Sequence, residues 1–127
     1  MATVLIVDDE FAIADLLEIA LTDEGYRVLT AANGHQGLAR LVEGPRPDLV
    51  ISDYMMPVLD GAGMLRAMRD TEAHRDIPCI VISSVPEANV RERIGGYAAF
   101  VRKPFQIAAL MQLVATVLRT PGLAPDT

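Results

Sequence analysis

The sequence predicts a single α/β domain built on a doubly wound parallel sheet, and three observations carry that prediction. Five short apolar runs recur along the chain, amphipathic helical patterns separate them, and four of the runs end in or just before polar or charged side chains. Strands alternating with helices are joined by right-handed crossovers into a parallel sheet covered on both faces. The carboxyl ends of such strands lie along one edge, where ligands bind.

The runs span residues 3–7, 26–30, 48–52, 79–83 and 99–101. Four are apolar on both faces or nearly so, as strands sandwiched between helices must be, whereas 26–30 carries Arg27 and Thr30 and suits an edge. Ile13, Leu16, Leu17, Ala20 and Leu21 form an i, i+3, i+4, i+7, i+8 stripe, as do Ile107, Leu110, Met111, Val114 and Ala115. Leu38, Leu41 and Val42 mark a second helix, and Met64, Leu65 and Met68 a third. Asp60-Gly61 reads as the cap and opening turn of that third helix. The pattern is weakest over residues 85–98. There Val90 and Ile94 lie one turn apart between Pro86 and Gly95-Gly96, which predicts a short, loosely held fourth helix. Thr120-Pro121-Gly122 ends the last helix, so the domain is expected over residues 1–120, with 121–127 as a flexible tail.

With 127 residues and 51% hydrophobic content, the chain suits one core. A net charge of −6 argues against a nucleic-acid surface on this chain. The apolar runs are far shorter than a membrane span and no signal peptide opens the sequence, so a cytoplasmic domain without membrane contact is expected. The Met1 start favours an N-terminal segment or an entire chain. Cys79 lies inside an apolar run and reads as a buried structural thiol rather than a redox or metal group. His35 and His74 read as solvated surface residues, and the methionines as packing.

The chemistry sits at the run ends. Asp8 and Asp9 follow the first run and Asp53 the third, so parallel strands bring three acids together. Crowded like charges repel and raise one another's pKa. A hard divalent cation with oxygen ligands, Mg²⁺ foremost, relieves that repulsion. Ser83 ends the fourth run and Lys103 stands just past the fifth. A lone Asp at a strand end is most often a helix cap or a solvated loop residue. Three acids converging with a lysine and a hydroxyl outweigh that reading.

Four motifs appear in order: Leu5-Ile6-Val7-Asp8-Asp9-Glu10, the segment from Asp53-Tyr54-Met55-Met56-Pro57 to Asp60-Gly61, Ile82-Ser83-Ser84, and Lys103-Pro104-Phe105. In these the chain resembles the receiver domain of two-component response regulators, over essentially its whole length. The resemblance implies a flavodoxin-like fold with five helices and strand order 2-1-3-4-5. It implies that Asp53 accepts a phosphoryl group from the phosphohistidine of a sensor histidine kinase or histidine phosphotransfer protein. It further implies that Asp9, Asp53 and the Met55 carbonyl bind Mg²⁺ directly, with Asp8 acting through a bound water. Lys103 then pairs with Asp53 or the phosphoryl group, the Ser83 hydroxyl donates to a phosphoryl oxygen, and Phe100 is the switch aromatic. A cis Lys103–Pro104 bond is common in the family. Glu10 is expected to favour the positive end of the first helix and to touch the water shell of the site. The product is a phosphorylation switch rather than a turnover enzyme, read by a downstream protein or a fused output domain.

Three departures from the family pattern stand out. Ser83 replaces the commoner threonine and keeps its hydroxyl, and Ser84 stands where a small alanine is usual. The Ser83-to-Lys103 stretch is shorter than the family norm, which bears on the partner surface of fourth helix, fifth strand and fifth helix. Two rival classes share the sheet. A Mg²⁺-dependent phosphatase of the haloacid-dehalogenase type asks for a second Asp two residues past the nucleophile, where this chain has Met55. A flavin binder asks for a Ser/Thr/Gly-rich phosphate loop where Asp8-Asp9-Glu10 would repel it. In the receiver family, the residues flanking the hydrolytic water correspond to Met55 and Val85. Neither can orient a water by hydrogen bonding, so slow self-dephosphorylation is expected.

Overall fold

The computed structural model describes residues 1–119. Strands and helices alternate along them: β1 (Thr3–Val7), α1 (Phe11–Asp23), β2 (Arg27–Ala31), α2 (Gly34–Glu43), β3 (Leu49–Asp53), α3 (Gly61–Asp70), β4 (Cys79–Ser83), α4 (Glu87–Arg91), β5 (Ala99–Arg102) and α5 (Ile107–Arg119). The sheet is parallel throughout and ordered β2-β1-β3-β4-β5, as the sequence led us to expect. The tail over 121–127 lies outside the described residues.

Two strands start one residue later than their apolar runs, for local reasons. The Tyr26 N–H is taken by the Leu21 carbonyl at the exit of α1, so the β2 ladder opens with Arg27 opposite Thr3. Asp48 is diverted as well. Its N–H donates to Thr3 O (2.7 Å) and its carboxylate accepts from Thr3 N (2.8 Å), which fastens the foot of β1 before β3 begins.

Side-chain alternation along the strands builds two cores, one on each face. Leu5, Val7, Val50, Cys79 and Val81 point toward α2, α3 and α4, where Leu41, Met64, Leu65, Met68 and Val90 meet them. Val4, Ile6, Leu49, Ile51, Ile80 and Ile82 point toward α1 and α5, against Leu17, Leu21, Leu110, Val114 and Val117. β1, β3 and β4 are buried over their full length. Truncating one of their aliphatic side chains to alanine costs ~2–5 kcal/mol.

Helix starts follow local capping chemistry. The Asn33 side chain accepts from Gln36 N (2.9 Å) while Gln36 Oε1 accepts from Ala32 N (3.0 Å), closing the start of α2 from both sides. Asp60 accepts from Gly63 N (2.9 Å) and caps α3, as expected. Gly25 ends α1 at φ 92°, the left-handed conformation that glycine adopts without strain.

Three expectations need correction. The stripe on α1 is narrower than its periodicity implied: Leu17 and Leu21 are buried, but Leu16 is exposed and Ile13 half-buried. β5 is only half-buried, because it forms the second edge of the sheet. The fourth helix is indeed short, yet it is not loosely held. Val90 and Ile94 both enter the core, and Arg69 of α3 donates Nε and Nη2 to Gly96 O (3.2 and 2.8 Å).

Candidate functional site

Backbone bonds that continue the sheet ladder past the strand ends position the site. Asp8 N donates to Ala31 O (3.0 Å), Tyr54 N to Ile82 O (2.8 Å) and Lys103 N to Ser83 O (2.8 Å). Each polar residue at this edge is thereby held, directly or through its neighbour, as firmly as the sheet itself. The loop after Asp53 must double back tightly into α3. A Cβ on Gly61 would lie 2.5 Å from Asp53 O, so only glycine permits that approach. Val58 in the same loop is exposed and sits at φ 69°, a strained conformation for a β-branched residue.

The structure brings Asp8, Asp53 and Lys103 together and adds Glu10. Carboxylate oxygens of Asp8, Glu10 and Asp53 lie within 4.8 Å of one another. Lys103 Nζ is 2.8 Å from Glu10 Oε1 and 3.3 Å from Asp53 Oδ2. Asp8 and Asp53 are buried, at 4% and 5% exposure, whereas Asp9 faces solvent beside them. Asp8 Oδ1 accepts from Glu10 N (2.8 Å). The Lys103–Pro104 peptide is cis.

The electrostatics follow from this crowding. Burial pushes Asp8 up to about 6, against the lowering effect of the Glu10 N–H, and the neighbouring Asp53 charge raises it further. Asp53 is also raised, first by burial and also by the Asp9 charge, with Lys103 pulling the other way. Burial works against the Lys103 charge, but Glu10, Asp53 and Asp8 outweigh it and raise the ammonium above its ordinary value. The site is therefore rich in carboxylate and short of positive charge, which is the electrostatic setting of a cation site.

The remaining expected residues are nearby but differently engaged. Ser83 is fully buried, and its hydroxyl accepts from Val85 N (2.8 Å) while donating to Val85 O (3.1 Å). Phe100 is half-buried and tilted 50° against Tyr97 at 6.2 Å. Met55 is more than half exposed. Phe11 and Val58 are exposed as well. Cys79 is wholly buried, its thiol pushed up to about 12 by that burial, so it is an inert core residue. His35 is exposed and His74 half-buried in a turn.

Sequence reasoning undervalued two residues. The sequence places Glu10 at the helix end and at the water shell of the site, but in the structure it is the nearer partner of Lys103. Tyr54 was read only as part of a motif, yet it is buried and its hydroxyl accepts from Arg93 Nη1 (3.1 Å). Both contacts join residues far apart in the chain, so local pattern carried no signal for either.

Comparison with known proteins agrees with this geometry. The family model described as response regulator receiver domain matches residues 4–115. The chain is 32% identical to the DNA-binding dual master transcriptional regulator RpaA of Synechocystis, over 99% of this chain and 53% of that protein. It thus spans about half the length of that regulator. Among solved structures, the signal receiver domain of a signal transduction histidine kinase from Syntrophus aciditrophicus superposes with a TM-score of 0.87 at 31% identity, covering 96% of this chain and 93% of that one. The receiver domain of sensor histidine kinase PA1611 from Pseudomonas aeruginosa has a magnesium ion coordinated in its active-site cleft. It superposes with a TM-score of 0.85 at 28% identity, covering 94% and 98%. Nothing in these matches supports the haloacid-dehalogenase alternative. A parallel sheet ordered 2-1-3-4-5, an acidic edge with one lysine, and a family match over most of its length together assign the chain to the response regulator receiver domain family.

Proposed function

We propose that Asp53 is the phosphoacceptor of a Mg²⁺-dependent switch, charged by the phosphohistidine of a sensor histidine kinase or histidine phosphotransfer protein. One observation carries the assignment: Asp53 is a buried carboxylate at the ligand-binding edge with Lys103 Nζ 3.3 Å away. Transfer forms a bond from an Asp53 oxygen to phosphorus and breaks the phosphorus–nitrogen bond. The electron pair returns to the imidazole, which takes a proton from solvent. The reaction needs positioning and charge neutralisation rather than a general acid. Asp53 is positioned by the ladder, and Lys103 stands ready to pair with the added phosphoryl oxygens.

Asp9, Asp53 and the Met55 carbonyl would hold Mg²⁺ directly and Asp8 through water, the ion neutralising phosphoryl charge when bound. The crowded carboxylates of Asp8, Glu10 and Asp53 support a cation here, as does the magnesium in the PA1611 receiver domain, and the exposed Asp9, outside that cluster, would have to turn toward the ion. Ser83 can then exchange Val85 O for a phosphoryl oxygen as the acceptor of its proton. That exchange releases the Val85 carbonyl at the approach to α4, and Phe100, on the neighbouring strand, is the aromatic that follows. The exposed Met55 and Val58, in the loop that follows Asp53, suit a protein donor that must approach Asp53 closely. A downstream protein or an output domain, as in the transcriptional regulators the chain is similar to, reads the result. The cytoplasm, where ATP charges kinase histidines, is the expected compartment.

Incubation with acetyl phosphate and Mg²⁺ tests the assignment. One acid-labile phosphoryl group per chain is expected, and Asp53→Asn should abolish it. Labelling at the normal rate in that variant, or multiple turnover of the donor as in a phosphatase, refutes the reading.

A further inference from the structure

The loop after Asp53 is anchored by a helix that contributes no side chain to the acidic site. Gly61 N donates to Tyr54 O (2.9 Å) and closes the base of the loop, and Leu59 N donates to Pro57 O (2.8 Å) and folds its far side. Met55, Pro57 and Val58, between those bonds, are exposed, so packing does not fix their backbone. The far side is held by α2. Gly34 N, at the first position of that helix, donates to Leu59 O (2.9 Å).

A side chain at position 34 would forbid this contact. A Cβ there would stand 2.5 Å from Leu59 O and 3.1 Å from the carbonyl carbon, backbone atoms that cannot swing aside as a side-chain end can. Gly34 is outside the left-handed region, so the closeness of Leu59, not a dihedral angle, calls for glycine. On the other flank, a Cβ on Gly63 of α3 would lie 2.4 Å from Leu59 Cδ1. A residue gripped from two helices passes a displacement on to its neighbours instead of absorbing it. The same corner also holds the opposite wall of the site. Ala31, three residues before Gly34, accepts from Asp8 N (3.0 Å). Residues 31–34 are themselves pinned by the paired Asn33, Gln36 and Ala32 bonds, and so tie the Asp8 backbone to the Met55 loop.

We propose that Gly34 is a positioning residue for the cation site. Through the Gly34–Leu59 bond, the β2–α2 corner sets where the Met55 carbonyl stands relative to Asp8, and thereby the affinity for Mg²⁺. The inference rests on the metal assignment made above, and it adds a residue that touches no ligand. Groups that orient metal ligands in this indirect way are worth roughly ten- to a hundredfold in metal affinity.

The test follows backbone amide signals of the full chain during titration with Mg²⁺ alone. Gly34→Ala should move the signals of residues 55–59 before any ion is added, and should weaken Mg²⁺ binding roughly tenfold. Gly37→Ala, one turn along the same helix, separates this effect from packing. Its Cβ meets Met64 Sδ (2.8 Å) and Val7 Cγ2 (3.1 Å), side-chain atoms outside the loop. That variant should lower the Tm and keep the wild-type Mg²⁺ affinity. Asn33→Ala removes the α2 cap without adding bulk, so it tests the corner even where Gly34→Ala does not fold, and it should weaken Mg²⁺ binding in the same direction. Wild-type affinity in Gly34→Ala or Asn33→Ala overturns the proposal. Equal losses in Gly34→Ala and Gly37→Ala overturn it too, because they identify a general loss of packing. A wild-type chain that binds no Mg²⁺ instead overturns the metal assignment itself, and the proposal with it.

Discussion

Asp8→Asn offers the sharpest test of how the acidic site is balanced. Burial and the neighbouring acids raise the Asp8 carboxyl from 3.8 to about 6 in the folded chain. At ~1.4 kcal/mol for each tenfold change in proton affinity, that rise amounts to about 3 kcal/mol. Its sign follows from which state holds the proton. Between pH ~4 and ~6 the folded chain keeps a proton that the unfolded chain has released, so stability falls as pH climbs through that window. At pH 7 the whole penalty is present, and below pH ~4 none of it is.

Asparagine is neutral at every pH and can still accept from Glu10 N, where Asp8 Oδ1 now accepts at 2.8 Å. The stronger bond that the charged carboxylate makes with Glu10 N is already contained in that net shift, so asparagine stands in for the protonated acid. The variant is therefore expected to be ~3 kcal/mol more stable than wild type at pH 7 in EDTA, a rise in Tm of roughly 10 °C for a chain this size. At pH 4 the advantage should vanish. Millimolar Mg²⁺ should raise the wild-type Tm more than that of the variant, narrowing the gap at pH 7. Thermal melts across pH with and without the ion measure all of this. An Asp8→Asn chain no more stable than wild type at pH 7, or an advantage that persists at pH 4, refutes the reasoning.

Glu10→Gln should turn Lys103 wholly toward Asp53 and lower the Asp53 pKa, read by carboxyl NMR titration, while stability changes by less than ~1 kcal/mol because Glu10 is 55% exposed. An unchanged or raised Asp53 titration would show that the two acids do not compete for Lys103. Val58→Gly relieves a left-handed conformation costing ~1–2 kcal/mol and adds chain entropy worth ~0.5–1 kcal/mol. Its urea midpoint should thus rise by the equivalent of ~0.5–1 kcal/mol, and a fall would mean that the loop is not strained at Val58. Finally, decay of the phosphorylated protein should be slow and should quicken at least ~tenfold in Met55→Asn, Val85→Glu. A polar pair without effect would assign hydrolysis to Lys103 and the metal alone.

The elements that local pattern revealed are those whose environment is uniform along their length. β1, β3 and β4 lie between two helix layers, so every residue is apolar and the runs announce themselves. Their ends then fix Asp8, Asp53 and Ser83 at one edge without further information. Elements in mixed surroundings were read less well. Leu16 continues the apolar period of α1 yet faces solvent, because periodicity reports which residues share a face and not how wide a strip the sheet covers. The fourth helix was read as loose because its sequence is short and bounded by Pro86 and glycines. Val90 anchors it in the core, and the segment that follows it is held from α3, where Arg69 and Arg66 donate to the Gly96 and Arg93 carbonyls 27 residues away. Pairings of that separation leave no trace in any window of sequence.

The same reasoning explains why the lysine was foreseen and its principal partner was not. Lys103 is the only lysine in the chain, and its place after the fifth run put it at the acidic edge. Its nearest carboxylate there, Glu10, is 93 residues away. One ammonium thus faces three acids, Asp8, Glu10 and Asp53, and divides itself between two of them. A site built for stability alone would match its charges. This one keeps a deficit, so the folded domain gains when a cation arrives. On the function proposed above, a phosphoryl group on Asp53 would deepen that deficit and draw Lys103 from Glu10 toward it. On that proposal, the redistribution of a single positive charge between Glu10 and Asp53 is the first electrostatic consequence expected of phosphorylation in this fold.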